Sequence, residues 1–185
     1  MRRWKQVRWT EAGQVAAILG WPASEHDADA PETFFDRLLR EGRDDDAALF
    51  LGQALPRFEV VAWAAEAVGQ LSPAQVSAQD ADALKATLLW LQDPSETRRR
   101  AAFDAASRAS AAGPQKMCAM AAFFSGGSMA PDAVQPLPPP KDTAGTFAAG
   151  AVLTAASHGA GRREDLRSVL ALGDAFASGR ESTRV

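Results

Sequence analysis

Apolar positions along the chain recur at helical spacing, and proline or glycine corners interrupt them at short intervals. A short helical piece over 11–19 stops at Gly20-Trp21-Pro22, and an acidic loop with Glu25, Asp27 and Asp29 follows. Pro31 suits the first turn of a helix, where its missing N–H costs nothing. Phe34, Phe35, Leu38 and Leu39 then lie on one face, and Gly42 closes that helix. Asp44-Asp45-Asp46 opens the next, because carboxylates favour the positive end of the helix dipole. Its inward stripe is Ala47, Leu51 and Leu55, with Phe50 beside it, and Pro56 breaks it.

A third helix is predicted over 58–71, with Val61, Ala65 and Val68 inside. Ser72-Pro73-Ala74-Gln75 has the form of a capping box. It predicts a short turn before a helix over 80–92 whose inward stripe is Leu84, Leu88 and Leu91. Asp93-Pro94-Ser95-Glu96 starts a helix running to about Ala112, and Gly113-Pro114 ends it and begins another over 115–124. Ser125-Gly126-Gly127-Ser128 and Pro136-Leu137-Pro138-Pro139-Pro140 make a loop over 125–141, longer than the roughly 12–15 residues at which loops become uncommon. Helices over 142–157 and 163–177 finish the pattern. The spacing predicts an all-α single domain, either an irregular multi-helix bundle or a short array of antiparallel helix hairpins. No repeat of 33 to 45 residues with matching key positions is found. Residues 1–30 read as an N-terminal arm and acidic loop, 31–180 as the helical domain, and 181–185 as a frayed tail.

Composition sharpens this picture. The hydrophobic share of 46% is dominated by alanine, the best helix former, while the β-branched and aromatic runs that strands prefer are scarce. A net charge of -3 argues against general nucleic-acid binding, which needs a basic surface. One cysteine, Cys118, makes no internal disulfide, and no apolar stretch reaches membrane-spanning length. The start Met1-Arg2-Arg3-Trp4-Lys5 lacks the continuous apolar region of a secretion signal, so a cytoplasmic protein is expected.

Candidate chemistry is sparse. His26 and His158 lie far apart with no ligand neighbours, against the roughly four clustered ligands of a zinc site. Asp44-Asp45-Asp46 lacks the alternating ligands of a calcium loop. Gly126-Gly127 lacks the lysine of a phosphate loop. No cofactor or metal is expected, and Cys118 reads as a buried thiol. Arg98-Arg99-Arg100 reads as a solvated ion-pair strip or, alternatively, a surface for an acidic partner. Trp4, Arg8, Trp9 and Trp21 put aromatic and cationic residues together in one short segment, and these types are enriched at binding hot spots. They are expected either to contact a protein partner or to pack back on the core.

The stretch Ala121-Ala122-Phe123-Phe124-Ser125-Gly126-Gly127-Ser128-Met129-Ala130-Pro131, then Pro138-Pro139-Pro140 and Gly150-Ala151-Val152, resembles an uncharacterised family of small helical proteobacterial proteins. Upstream, Gly42-Arg43, Ala47 to Pro56, Trp63-Ala64 and Arg98-Arg99-Ala101-Ala102 are similar to that family in order and spacing. The resemblance spans about residues 32–178. Such proteins tend to be encoded near type VI secretion genes, so it implies a non-enzymatic accessory role as an effector co-chaperone or adaptor. A protein that inhibits a toxin by direct binding is the alternative, and an enzyme with a non-standard site is a third.

Overall fold

The computed structural model of the chain describes residues 3–73, 75–130, 134–159 and 161–179. Among the described residues there are nine helices and no strand: α1 Ala12–Ile18, α2 Pro31–Arg40, α3 Asp44–Ala54, α4 Arg57–Leu71, α5 Ala78–Gln92, α6 Glu96–Arg108, α7 Pro114–Phe124, α8 Thr143–Ser157 and α9 Arg162–Ser178. Prolines stand at the first turns of α2 and α7, as their fixed φ favours. The chain is all-α, and its buried residues form one core.

Helix α8 lies at the centre, packed on α3, α4, α7 and α9. Its buried side chains are almost all alanine, with Gly145 and Val152. Small residues let backbones approach, and the α3–α8 crossing uses this fully. A Cβ added at Gly52 would sit 2.8 Å from the Gly145 carbonyl oxygen and 2.9 Å from the Ala149 Cβ. One added at Gly145 would collide with the Gly52 carbonyl oxygen in return. Across the same centre, the fully buried Trp63 of α4 donates its indole N–H to the Val169 carbonyl of α9 at 2.7 Å. Helices α5, α6 and α7 pack on one side of this centre, and α1, α2 and α3 with α9 lie on the other.

Several expectations need correction. Ser72 ends α4, and α5 starts at Ala78, two residues before the expected Asp80, capped by Ser77 accepting from the Asp80 N–H at 3.1 Å. Ala74 lies outside the described residues. Helix α6 stops at Arg108, short of Ala112. Of the stripe Leu84, Leu88 and Leu91, Leu88 is exposed while Leu84 and Leu91 pack half-buried against the core, and the buried side of α5 is Asp80, Ala83, Thr87 and Trp90. Small residues there let α5 lie close to α6 and α7, which turns the leucines towards the flank and the outside. The tail 181–185 lies outside the described residues.

Candidate functional site

The three tryptophans singled out in the N-terminal segment serve as packing, Trp4 within the core and Trp9 and Trp21 against it. Residues 3–10 form no helix, and they run between α2 and α9 as a strap. Trp4 is 0% exposed, its ring centred 5.2 Å from that of Phe35 in α2. Its indole N–H donates to Asp174 of α9 at 2.6 Å. The Arg3 guanidinium donates to both carboxylate oxygens of Asp36 at 2.9 Å and pairs with Asp174 at 3.0 Å, so it bridges the two helices. Hydrogen bonding to Asp36 raises its pKa against the opposing effect of burial. Two main-chain groups complete the strap. The Arg3 N–H donates to Glu32 at 3.1 Å, and the Gln6 N–H donates to the Ala177 carbonyl at 3.0 Å.

Trp9 is half-buried and donates to the Gln53 carbonyl at 3.2 Å. Trp21, also half-buried, stacks on Phe50 at 6.3 Å and lies beneath the Arg43 guanidinium at 5.9 Å. Only Arg8 of the four is exposed. Residues 1–30 are therefore no separate arm as far as they are described: Trp4, Val7, Ala12 and Val15 belong to the common core. Trp4 is held by α2 and α9 of the same chain, and Trp9 and Trp21 pack mainly on α3.

The arginine run has a similar outcome. Arg99 is 4% exposed, and its guanidinium sits 4.5 Å above the Phe123 ring. It donates to Glu96 and to the carbonyls of Phe123 and Ser128, so it holds the end of α7 and the following turn in place. The turn fits only because Gly127 has φ +65 and no Cβ, which would lie 2.7 Å from the Arg99 Nε. Arg57 donates to the Ser125 carbonyl at 3.2 Å and Arg100 to the Ala130 carbonyl at 2.8 Å. The Gly-Gly turn thus has its carbonyl oxygens bound by cations and serves as a structural corner. Nothing local in the sequence ties the arginine run to a turn some thirty residues later.

At the other end, Asp44 is buried and receives Arg167 at 2.7 Å and Arg163 at 3.2 Å, clamping the start of α3 to α9. Asp44 and Arg163, with Asp45, Asp46 and Arg162, line an open cleft of about 350 Å³. Burial pushes the Cys118 thiol well above its ordinary pKa, which keeps it protonated and inert. Among the described residues no group of three or more histidine, cysteine or acidic side chains could hold a metal ion, and no helix is long and apolar enough to cross a membrane. The proline-rich loop is closed on itself: the Met129 N–H donates to the Leu137 carbonyl at 2.8 Å, and Pro139 is buried while Val134 and Leu137 are exposed.

The feature that local periodicity misassigned is the outer side of α5. Leu88 is 43% and Leu89 41% exposed, with Leu84 and Leu91 half-buried beside them. Phe58 and Val76 are further exposed apolar side chains, and Phe58 touches α5 through Trp90 at a ring separation of 5.8 Å.

This architecture makes the chain an all-helical domain. The chain is a member of DUF6931, a family of unknown function whose model matches residues 34–177. No curated protein and no solved structure matches the chain.

Proposed function

We propose that this protein is a non-enzymatic, protein-binding accessory protein that holds its partner against the outer face of α5. The observation that carries this reading is the orientation of that helix. Its leucines at 84, 88 and 91 recur at three- and four-residue spacing, with Leu88 and Leu89 exposed and Leu84 and Leu91 half-buried against the core at the edges of that face. Leucines at such spacing accept the apolar stripe of a second helix. Exposed apolar patches of this kind mark interaction sites more often than isolated surface leucines do. A role as a co-chaperone or adaptor for a type VI secretion cargo rests on the sequence resemblance alone, and a cytoplasmic location rests on the lack of a signal-like apolar region after Met1-Arg2-Arg3-Trp4-Lys5.

The test is site-specific photo-crosslinking inside the cell from position 88, with the exposed Lys141 position as control. A discrete crosslinked partner from position 88, absent from position 141 and lost with Leu84→Ser, is expected. Equal crosslinking from both positions would overturn the reading.

A further inference from the structure

We infer that the groove between α2 and α9 is a peptide-binding groove occupied in cis by residues 3–7, and that it accepts an extended segment of another protein carrying an arginine directly before a tryptophan. Four observations converge on this. First, most of the residues that receive the strap lie in the family-matched segment: Phe35 and Asp36 on α2, Asp174 and Ala177 on α9, with Glu32 just before it. The strap itself lies outside that segment. The family-matched segment thus supplies most of the socket, and the strap reaches it from outside that segment.

Second, the contacts are those of ligand recognition by an extended peptide. One aromatic ring fills an apolar socket, one main-chain N–H reaches Ala177, and one guanidinium engages carboxylates from both walls. Third, the groove carries the charge that selects such a peptide, because Glu32, Asp36 and Asp174 all meet Arg3 or Trp4. Fourth, α2 packs mainly on α3, and α9 packs on α3, α4 and α8, so the strap fills space that the two helices leave between them. A tethered segment competes at an effective concentration around the millimolar range, so a free peptide of equal intrinsic affinity is kept out of the intact protein.

The experiment uses the full chain and a fluorescent synthetic peptide with the sequence of residues 1–10. With Trp4→Ala in the protein, the anisotropy titration should show saturable micromolar binding. Binding to the wild-type chain should be at least about ten-fold weaker, and the same peptide carrying Trp4→Ala should not bind. A variant that keeps wild-type helical content and fails to bind would overturn the inference. Hydrogen exchange on the wild-type chain covers the case in which Trp4→Ala does not fold. The Gln6 amide should exchange through a local opening, well before amides of α4 and α8. Exchange of all three together, on global unfolding only, would make the strap plain core and overturn the groove. A wild-type chain that runs as a dimer through exchanged straps would overturn it in favour of self-assembly. The α5 crosslinking result stands apart from every one of these outcomes.

Discussion

The α3–α8 crossing and helix α5 are built from the same alanine-rich alphabet and end up with opposite surfaces. At the crossing, Gly52, Gly145 and Ala149 bring two backbones into contact, and nearby the large side chains Leu51 and Trp63 are fully buried against Gly173 of α9. In α5 the inward positions include the small Ala83 and Thr87 beside Trp90, but among the described residues Leu88 and Leu89 on the other side stay exposed. Small residues set the spacing in both places. What differs is whether a second layer exists to bury the large ones. In a protein of this composition, a leucine stripe therefore marks either the core or an uncovered face, and the position of the small residues decides which.

The largest effects should fall on the covered seam. Trp63→Ala removes a fully buried ring and leaves the Val169 carbonyl without its indole donor. A loss of roughly 3–5 kcal/mol is expected by urea titration. Gly145→Ala should cost about 1–3 kcal/mol, since its new methyl group meets backbone that cannot rotate away. A Gly145→Ala protein as stable as wild type would show that the crossing has slack and would weaken the contrast with α5.

The corner held by Arg99 should rank next. Arg99→Met keeps the length of the side chain but strands the Phe123 and Ser128 carbonyls, at about 1–3 kcal/mol for a buried unsatisfied group. Thermal denaturation measures this directly. Arg98→Met, a half-exposed neighbour, should shift the midpoint far less.

How much of this was legible in the sequence differs by element. Helix starts at Pro31, Asp44, Ser95 and Pro114 could be read because caps and prolines act locally. The fold class followed from alanine. The strap was legible as an unusual cluster of tryptophan and arginine, but not as a packed one. Its carboxylate partner Asp174 is 170 residues from Trp4, and pairing over that distance leaves no local trace. The α5 assignment failed for a related reason. Leucine spacing reports a face, and which face turns inward was settled by the neighbours α6 and α7.

A pH experiment sharpens the comparison at the inner edge of α5. Burial raises the Asp80 pKa, but hydrogen bonds from the Ser77 hydroxyl and from the Ser110 N–H and hydroxyl outweigh it, so the carboxyl lies below its ordinary value. The sign follows from linkage. A carboxyl with a depressed folded pKa contributes stability above its unfolded value of 3.8, and that stability is lost as pH falls through the folded pKa. Glu96, held low by Arg99 against the effect of burial, acts in the same direction. Stability should be flat from neutral down to about pH 5 and decline below about pH 4. Asp80→Asn should flatten part of that decline, and an unaltered acid limb would show that the α5 start is not anchored through this carboxylate.

The smallest effect on stability is expected where the proposed function is greatest. Leu88 is among the most exposed leucines of the described residues, and its neighbours on α5 leave it only partly covered. Replacing it by serine removes little buried area, so a change within about 0.5 kcal/mol is expected from denaturation. If the α5 face is an interface, the same substitution should sharply reduce crosslinking from an adjacent position such as 85, because a leucine buried only on complex formation acts through the complex. The two measurements divide the outcomes cleanly. Unchanged stability with lost crosslinking is the signature of a contact surface. A loss of several kcal/mol would mean that Leu88 is covered within the fold, and would erase the difference between α5 and the α3–α8 seam. Unchanged stability with unchanged crosslinking would leave α5 as ordinary solvated surface and remove the observation on which the binding role stands.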